Sequence, residues 1–289
     1  MSEPSHKICR TNLRRAELPF IELSESPLAP GISPVRIHYR EYGSGFPWLF
    51  LHGGWGYRVY PFDRQITEFE RDFRIIIPDR SGYGQSTHIE SFPFSLHAAA
   101  ADETVAVMDH LNIDRCVLWG HSDGAVTAGN IGIKHPDRVA AVIMEATHYD
   151  RYKPKSRGFF TAMVVDPSEF GERMISKLEE DHGREYWRQV LSMEGKVWLE
   201  ILDNANNPDF DMFGGKLDQL SVPTLFLHGE QDPRTEPGEL NAIRKLVPTA
   251  KWAILPEGKH SPHSERLASD ESTRVARTFL SELNLPPSD

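Results

Sequence analysis

Cys116-Val117-Leu118-Trp119-Gly120-His121-Ser122-Asp123-Gly124-Ala125-Val126-Thr127-Ala128-Gly129 is the stretch that decides the architecture. An apolar run leads into G-x-S-x-G, and a run of small residues leads out, which is the pattern strand, tight turn, helix. A serine at the apex of so tight a turn is forced toward strained backbone angles, so bulk must be absent two residues to either side, and glycine supplies that. The geometry lifts the hydroxyl above the start of a helix, where unpaired N–H groups and the helix dipole favour developing negative charge. Ser122 is therefore a candidate nucleophile. The bland alternative, a glycine-rich turn with a spare serine, is weighed against what lies downstream.

Two further strand ends carry suitable chemistry. Val222-Pro223-Thr224-Leu225-Phe226-Leu227-His228-Gly229 reads as a buried strand, and Glu230-Gln231-Asp232-Pro233 places Asp232 just past its carboxyl end. A helical stretch from Pro237 to Leu246 follows, then a strand-like run Lys251-Trp252-Ala253-Ile254-Leu255, closed by Pro256-Glu257-Gly258-Lys259-His260. Nucleophile, acid and base thus follow in that order, each after a successive strand. Upstream, Pro47-Trp48-Leu49-Phe50-Leu51 reads as a buried strand ending in the loop His52-Gly53-Gly54-Trp55-Gly56.

On these segments, together with Asp79-Arg80-Ser81-Gly82-Tyr83-Gly84-Gln85-Ser86, the chain resembles the α/β-fold hydrolases of the esterase, lipase and epoxide hydrolase superfamily from about Pro34 to Leu285. The resemblance implies a mostly parallel central sheet flanked by helices, a Ser122–His260–Asp232 triad, and an oxyanion hole made by the Gly54 or Trp55 N–H with the Asp123 N–H. It also implies a structural role for the D-x-x-G-x-G-x-S loop, with Asp79 as organiser. One departure stands out: Lys259 separates Gly258 from His260, where these proteins set the glycine next to the histidine, and His263 is the rival base. Glu145 and Asp150 are rival acids, because some relatives draw theirs from the end of the sixth strand.

Ile21 to Leu23, Val35 to Tyr42, Phe73 to Ile77 and Val139 to Met144 read as further strands, Tyr60 to Arg71 and Ser95 to Leu111 as helices, the second with Ala101, Val105, Met108 and Leu111 on one face. After the sixth strand the alternation stops for a span too long for a plain connection. The expectation is a helical cap over residues 148–215, inserted into a core made of residues 1–147 and 216–289. Within it, Glu169 to Glu180 reads as a helix stopped by Gly183, with two shorter helices at Tyr186 to Met193 and Val197 to Leu202. Phe159, Phe160, Met163, Trp187, Trp198, Phe210, Met212 and Phe213 supply an apolar face expected to be mostly cap core. Arg151, Lys153, Lys155 and Arg157 are expected to form a solvated face.

Composition bounds the rest. A chain of 289 residues, 39% hydrophobic, suffices for one catalytic domain. With 32 basic and 42 acidic residues its net charge is −10, which argues against nucleic acid and anionic lipid as partners and leaves a small-molecule substrate. Cys9 and Cys116 are too few for a disulfide framework, and Cys116 reads as a core residue. The polar opening Met1-Ser2-Glu3-Pro4-Ser5-His6-Lys7 and the lack of a spanning-length apolar run make cytoplasm the expected location. The 13 histidines are scattered, with His260 and His263 the one close pair, so neither metal nor other cofactor is expected.

A serine at the elbow disfavours dehalogenase and epoxide hydrolase chemistry, which in this superfamily uses aspartate there. The leading reading is a serine hydrolase of small-molecule esters, carboxylesterase-like, working through an acyl-enzyme. A carbon–carbon bond hydrolase or perhydrolase would use the same triad, and a non-catalytic ligand receptor on this fold could also retain it.

Overall fold

In the computed structural model, which describes residues 19–205 and 211–286, eight strands pair into one sheet. They are β1 (Phe20–Leu23), β2 (Val35–Tyr42), β3 (Phe46–Leu51), β4 (Phe73–Pro78), β5 (Cys116–His121), β6 (Val139–Glu145), β7 (Thr224–Gly229) and β8 (Lys251–Leu255). Their order is β1-β2-β4-β3-β5-β6-β7-β8, with β1 and β2 paired antiparallel and β4 through β8 joined in parallel. Parallel neighbours require crossovers, and these are the helices the alternating sequence pattern implies.

Side chains alternate across the sheet, so each central strand feeds two cores. Trp48, Phe50, Ile75, Ile77, Val117 and Trp119 pack on one face against α1 (Asp63–Phe69) and α8 (Ser269–Glu282). Leu49, Leu51, Ile76, Cys116 and Leu118 pack on the other with α2 (Leu96–His110) and α3 (Asp123–Lys134). Burial on both faces explains why these strands read as continuous apolar runs. Helix α7 (Glu239–Leu246) links β7 to β8.

Three helices lie between β6 and β7: α4 (Arg157–Val165), α5 (Glu172–His182) and α6 (Trp187–Asp203). Gly183 ends α5 at φ 84°, as its position in the sequence suggests. Other details differ from expectation. Helix α1 starts only after Pro61, α4 and α8 were not recognised, and α6 is one helix rather than two. The sequence invites a break at Gly195, but that glycine serves close packing: a Cβ there would lie 2.7 Å from the Phe160 carbonyl oxygen of α4. The basic cluster is a solvated face only in part: Lys155 and Arg157 are exposed, whereas Lys153 and the half-buried Arg151 turn inward. Lys153 is fully buried against Glu239, Arg157 pairs with Asp203, and Arg151 donates to the Asp211 carbonyl. Cys116 is buried in β5, whereas Cys9, the polar N-terminal segment and Phe210 lie outside the described residues.

The Asp79 loop ties the end of β4 to the middle of β2. Asp79 accepts from His38 Nδ1 at 2.7 Å, Arg40 at 2.6 Å and the Gln85 N–H at 3.2 Å, and Gly84, at φ 54°, sits where a Cβ would strike its carboxylate. Burial alone would raise the Asp79 pKa, but the His38 hydrogen bond and the Arg40 charge bring it down to about 2. Because an unfolded aspartate titrates near ~3.9, this network stabilises the fold above about pH 4, and its contribution fades as the pH falls toward ~2. Asp79→Asn is expected to lower the unfolding free energy by about 2 kcal/mol at pH 7. In urea titrations the gap to the wild type should close on acidification; a gap unchanged down to about pH 2 would contradict the assignment.

Candidate active site

Ser122 stands between β5 and α3 with φ 55° and ψ −118°, a left-handed backbone that a non-glycine residue adopts only when its surroundings impose it. The surroundings do so from both sides. A Cβ on Gly120 would run into the Gly124 carbonyl, and a Cβ on Gly124 into the Leu51 carbonyl of β3. The Ser122 N–H donates to the Glu145 carbonyl at 2.9 Å, which ties the turn to the end of β6.

The other two sequence candidates arrive at the same place. Ser122 Oγ lies 3.0 Å from His260 Nε2, and His260 Nδ1–H donates to both carboxylate oxygens of Asp232, at 2.9 and 3.0 Å. Close approach of Gly229 to the 258–259 backbone brings the acid and base loops together, and the Gln231 N–H locks them by donating to the Gly258 carbonyl at 2.9 Å. The extra Lys259 is accommodated within this loop, where its N–H donates to Glu265. Burial would raise Asp232, yet the His260 imidazole, His228 and the Arg234 N–H hold it well below the usual carboxylate range. It is an anion with its partners already in place.

The rival residues are spoken for elsewhere. Glu145 accepts from the His263 N–H at 2.9 Å, from His263 Nδ1 at 2.8 Å and from Trp119 Nε1 at 2.8 Å, while His263 Nε2 donates to the Tyr60 carbonyl at 3.0 Å. The second acid and the second base thus form a buried pair of their own beneath the first. Asp150 lies at the Glu239 carboxylate, to which its N–H donates at 3.1 Å. Between the two pairs, burial with His263 and His260 nearby pushes His121 down to about 3, so its ring is a neutral spacer.

Gly54, Trp55 and Asp123 line the cavity onto which Ser122 opens, and Asp123 is the first residue of α3, whose leading N–H groups have no partner within the helix. Arg80 grips the 52–55 loop by its carbonyls, donating to His52 O at 2.6 Å and Gly53 O at 3.1 Å. From above, His182 of α5 accepts from the Gly84 N–H at 2.9 Å and donates to the Trp55 carbonyl at 3.1 Å. The 52–55 loop is therefore held by both the core and the insertion.

The cavity, counted with the open space at its mouth, amounts to about 420 Å³. Phe159, Phe160, Met163 and Trp198 from the insertion line it, whereas Trp187, Met212 and Phe213 are packed in the core. The apolar face foreseen as mostly cap core thus divides between packing and lining. Five polar lining residues, Tyr60, His121, His148, Glu194 and Arg234, were not among the sequence candidates, and the last three shape the charge around Ser122. His148 Nε2 lies 3.4 Å from Ser122 Oγ, and burial, with Lys153 and His260 nearby, keeps its pKa well below the ordinary value. Burial and the Asp123 carboxylate push Glu194 well above the usual range, and it is hydrogen-bonded to Asp123, which in turn accepts from His97 at 2.9 Å. Arg234, two residues past Asp232, is the third. His148 and Arg234 each follow a strand end, which was the one available signal; Glu194 had none, because it falls where α6 was expected to break.

Comparison with known proteins agrees with this architecture. A family profile described as alpha/beta hydrolase fold matches residues 47–189. The chain belongs to the α/β-hydrolase superfamily. It is 26% identical to Serine hydrolase BPHL of Homo sapiens, over 86% of this chain and 84% of that protein. It is also 26% identical to the Bifunctional esterase/perhydrolase DCH of Acinetobacter calcoaceticus, over 82% and 94% of the two chains. Among solved structures, a thermophilic esterase from Thermogutta terrifontis superposes with a TM-score of 0.68 at 24% identity, covering 92% of this chain and 99% of its own, a likeness of fold. As a member of this superfamily with relatives named as hydrolases and esterases, the protein is a hydrolase. Among the described residues no helix is long and apolar enough to cross a membrane.

The depressed His121 pKa has a direct readout. In imidazole nitrogen spectra the His121 ring should stay neutral, without a titration step, from about pH 8 down to about pH 5. A step within that range would show that the ring is hydrated and charged.

Proposed function

We propose that the protein is a serine hydrolase of small-molecule esters that works through a covalent acyl-enzyme, with Ser122 as nucleophile, His260 as base and Asp232 as the acid that orients it. The observation that carries this reading is the continuous chain of hydrogen bonds from Ser122 Oγ through His260 to Asp232 at 3.0 Å and below. A serine hydroxyl holds its proton tightly, so Oγ adds to the ester carbonyl only as His260 Nε2 takes that proton. Charge then gathers on the carbonyl oxygen, beside the N–H groups of Gly54 or Trp55 and Asp123. Each such donor contributes about 3 kcal/mol in sites of this kind.

Collapse of the adduct expels the alcohol, which leaves with the proton from His260. Water then attacks the acyl-enzyme, giving its proton to the same nitrogen, and the acid departs as Ser122 recovers its hydrogen. Throughout, Asp232 keeps Nδ1 protonated and stabilises the imidazolium without taking the proton itself. In this reading residues 148–215 act as a cap, whose aromatic lining excludes water and fits the non-reacting part of the substrate.

Ser122→Ala should abolish turnover of a short-chain aryl ester, by about 10⁶-fold in kcat, and should end labelling by a fluorophosphonate. Near-wild-type turnover by that variant would exclude Ser122 as nucleophile; labelling of the wild type with no turnover would favour a receptor on the hydrolase fold. Asp232→Asn and Glu145→Gln separate the two carboxylates. The first should lose about 10⁴-fold in kcat, the second less than about tenfold, with its cost appearing in stability. The reverse ranking would transfer the role of acid to Glu145.

A further inference from the structure

The cavity beside Ser122 contains a cation that ester cleavage does not use. The backbone of Arg234 is pinned from two sides: its N–H donates to Asp232 at 2.9 Å and its carbonyl accepts from Lys153 Nζ at 3.3 Å. Its guanidinium carbon lies 3.3 Å above the Phe159 ring centroid, and stacking of this kind fixes the plane of the group while leaving its N–H edge free to bind. Among the described residues that edge makes no ion pair, and the buried Nε has no hydrogen-bond partner. The nearby carboxylates are committed elsewhere, Asp232 to His260 and Asp123 to His97 and Glu194.

An arginine side chain does not give up its charge, and Arg234 stands half-buried in the cavity wall with an edge that protein groups leave unpaired, so an anion of the substrate is the partner it lacks. A fixed, planar donor edge of this kind matches a carboxylate. A phosphate dianion fits less well, because Arg234 is the one arginine or lysine among the described residues that line the cavity. Phe160, Met163 and Trp198 line the same cavity and suit the uncharged part of a small molecule. We propose that Arg234 receives a carboxylate of the substrate, so that the enzyme selects small esters bearing an anionic group. This rests on the ester-hydrolase reading and narrows its substrate class.

Binding to the Ser122→Ala protein tests the proposal without turnover. Titration calorimetry at about pH 7.5 would compare methyl hydrogen glutarate with the uncharged dimethyl glutarate. The half-ester is expected to bind at least about tenfold more tightly, and the preference should shrink to within about twofold when Arg234→Met is added. Arg234→Lys, which keeps the charge but loses the flat edge, should retain part of it. Equal affinity of the two esters for the Ser122→Ala protein, or a preference undiminished by Arg234→Met, would overturn the proposal. If Arg234→Met does not fold, the relative affinity of the two esters and its reduction in Arg234→Lys decide the matter. Failure of the ester-hydrolase reading itself shows separately, as undiminished aryl ester turnover after Ser122→Ala.

Discussion

Close backbone contact at the turn after β5 is the constraint from which the site is built. Ser122 holds a left-handed backbone because Gly120 and Gly124 let three chain segments meet with no side chain between them. A non-glycine residue in such a conformation costs about 1–3 kcal/mol, and it persists only where neighbours over-determine it. Here they are the Glu145 carbonyl and the Leu51 carbonyl, each at the end of an adjoining strand. Strain at one residue is thereby borne by the ends of two adjoining strands of the central sheet.

A second principle is that the buried carboxylates around Ser122, and Lys153 behind them, are provided for. Glu145 takes three donors, Asp232 is enclosed by His260 and the Arg234 N–H, and Lys153 is matched by Glu239. The two acid–histidine pairs look alike in composition but differ in reach: His260 has one nitrogen facing Ser122, whereas both nitrogens of His263 are consumed by protein. Hydrogen-bond accounting of this kind separates the pair with a free nitrogen at Ser122 from the pair without one more firmly than pKa direction alone.

The sheet and the three triad candidates were legible in the sequence because both depend on short-range pattern. Doubly buried strands are apolar runs, a tight turn needs glycine, and strand ends in a parallel sheet gather on one side. The insertion was less legible. Gly195 carries opposite meanings as a helix breaker and as a contact point, and only the position of α4 decides between them. Lys153 looked like surface until its partner, 86 residues away in sequence, was placed beside it. Likewise, the raised pKa of Glu194 depends in part on Asp123, a neighbour that no periodicity could have revealed.

One consequence concerns His182. Its ring joins the Gly84 N–H to the Trp55 carbonyl, and the peptide group before Trp55 belongs to the loop proposed to receive the oxyanion. Any displacement of α5 would therefore tug on that loop. Seating of the insertion and readiness of the reaction centre are mechanically one event, so a poorly fitting guest that props the helices apart would also disarm the machinery beneath it.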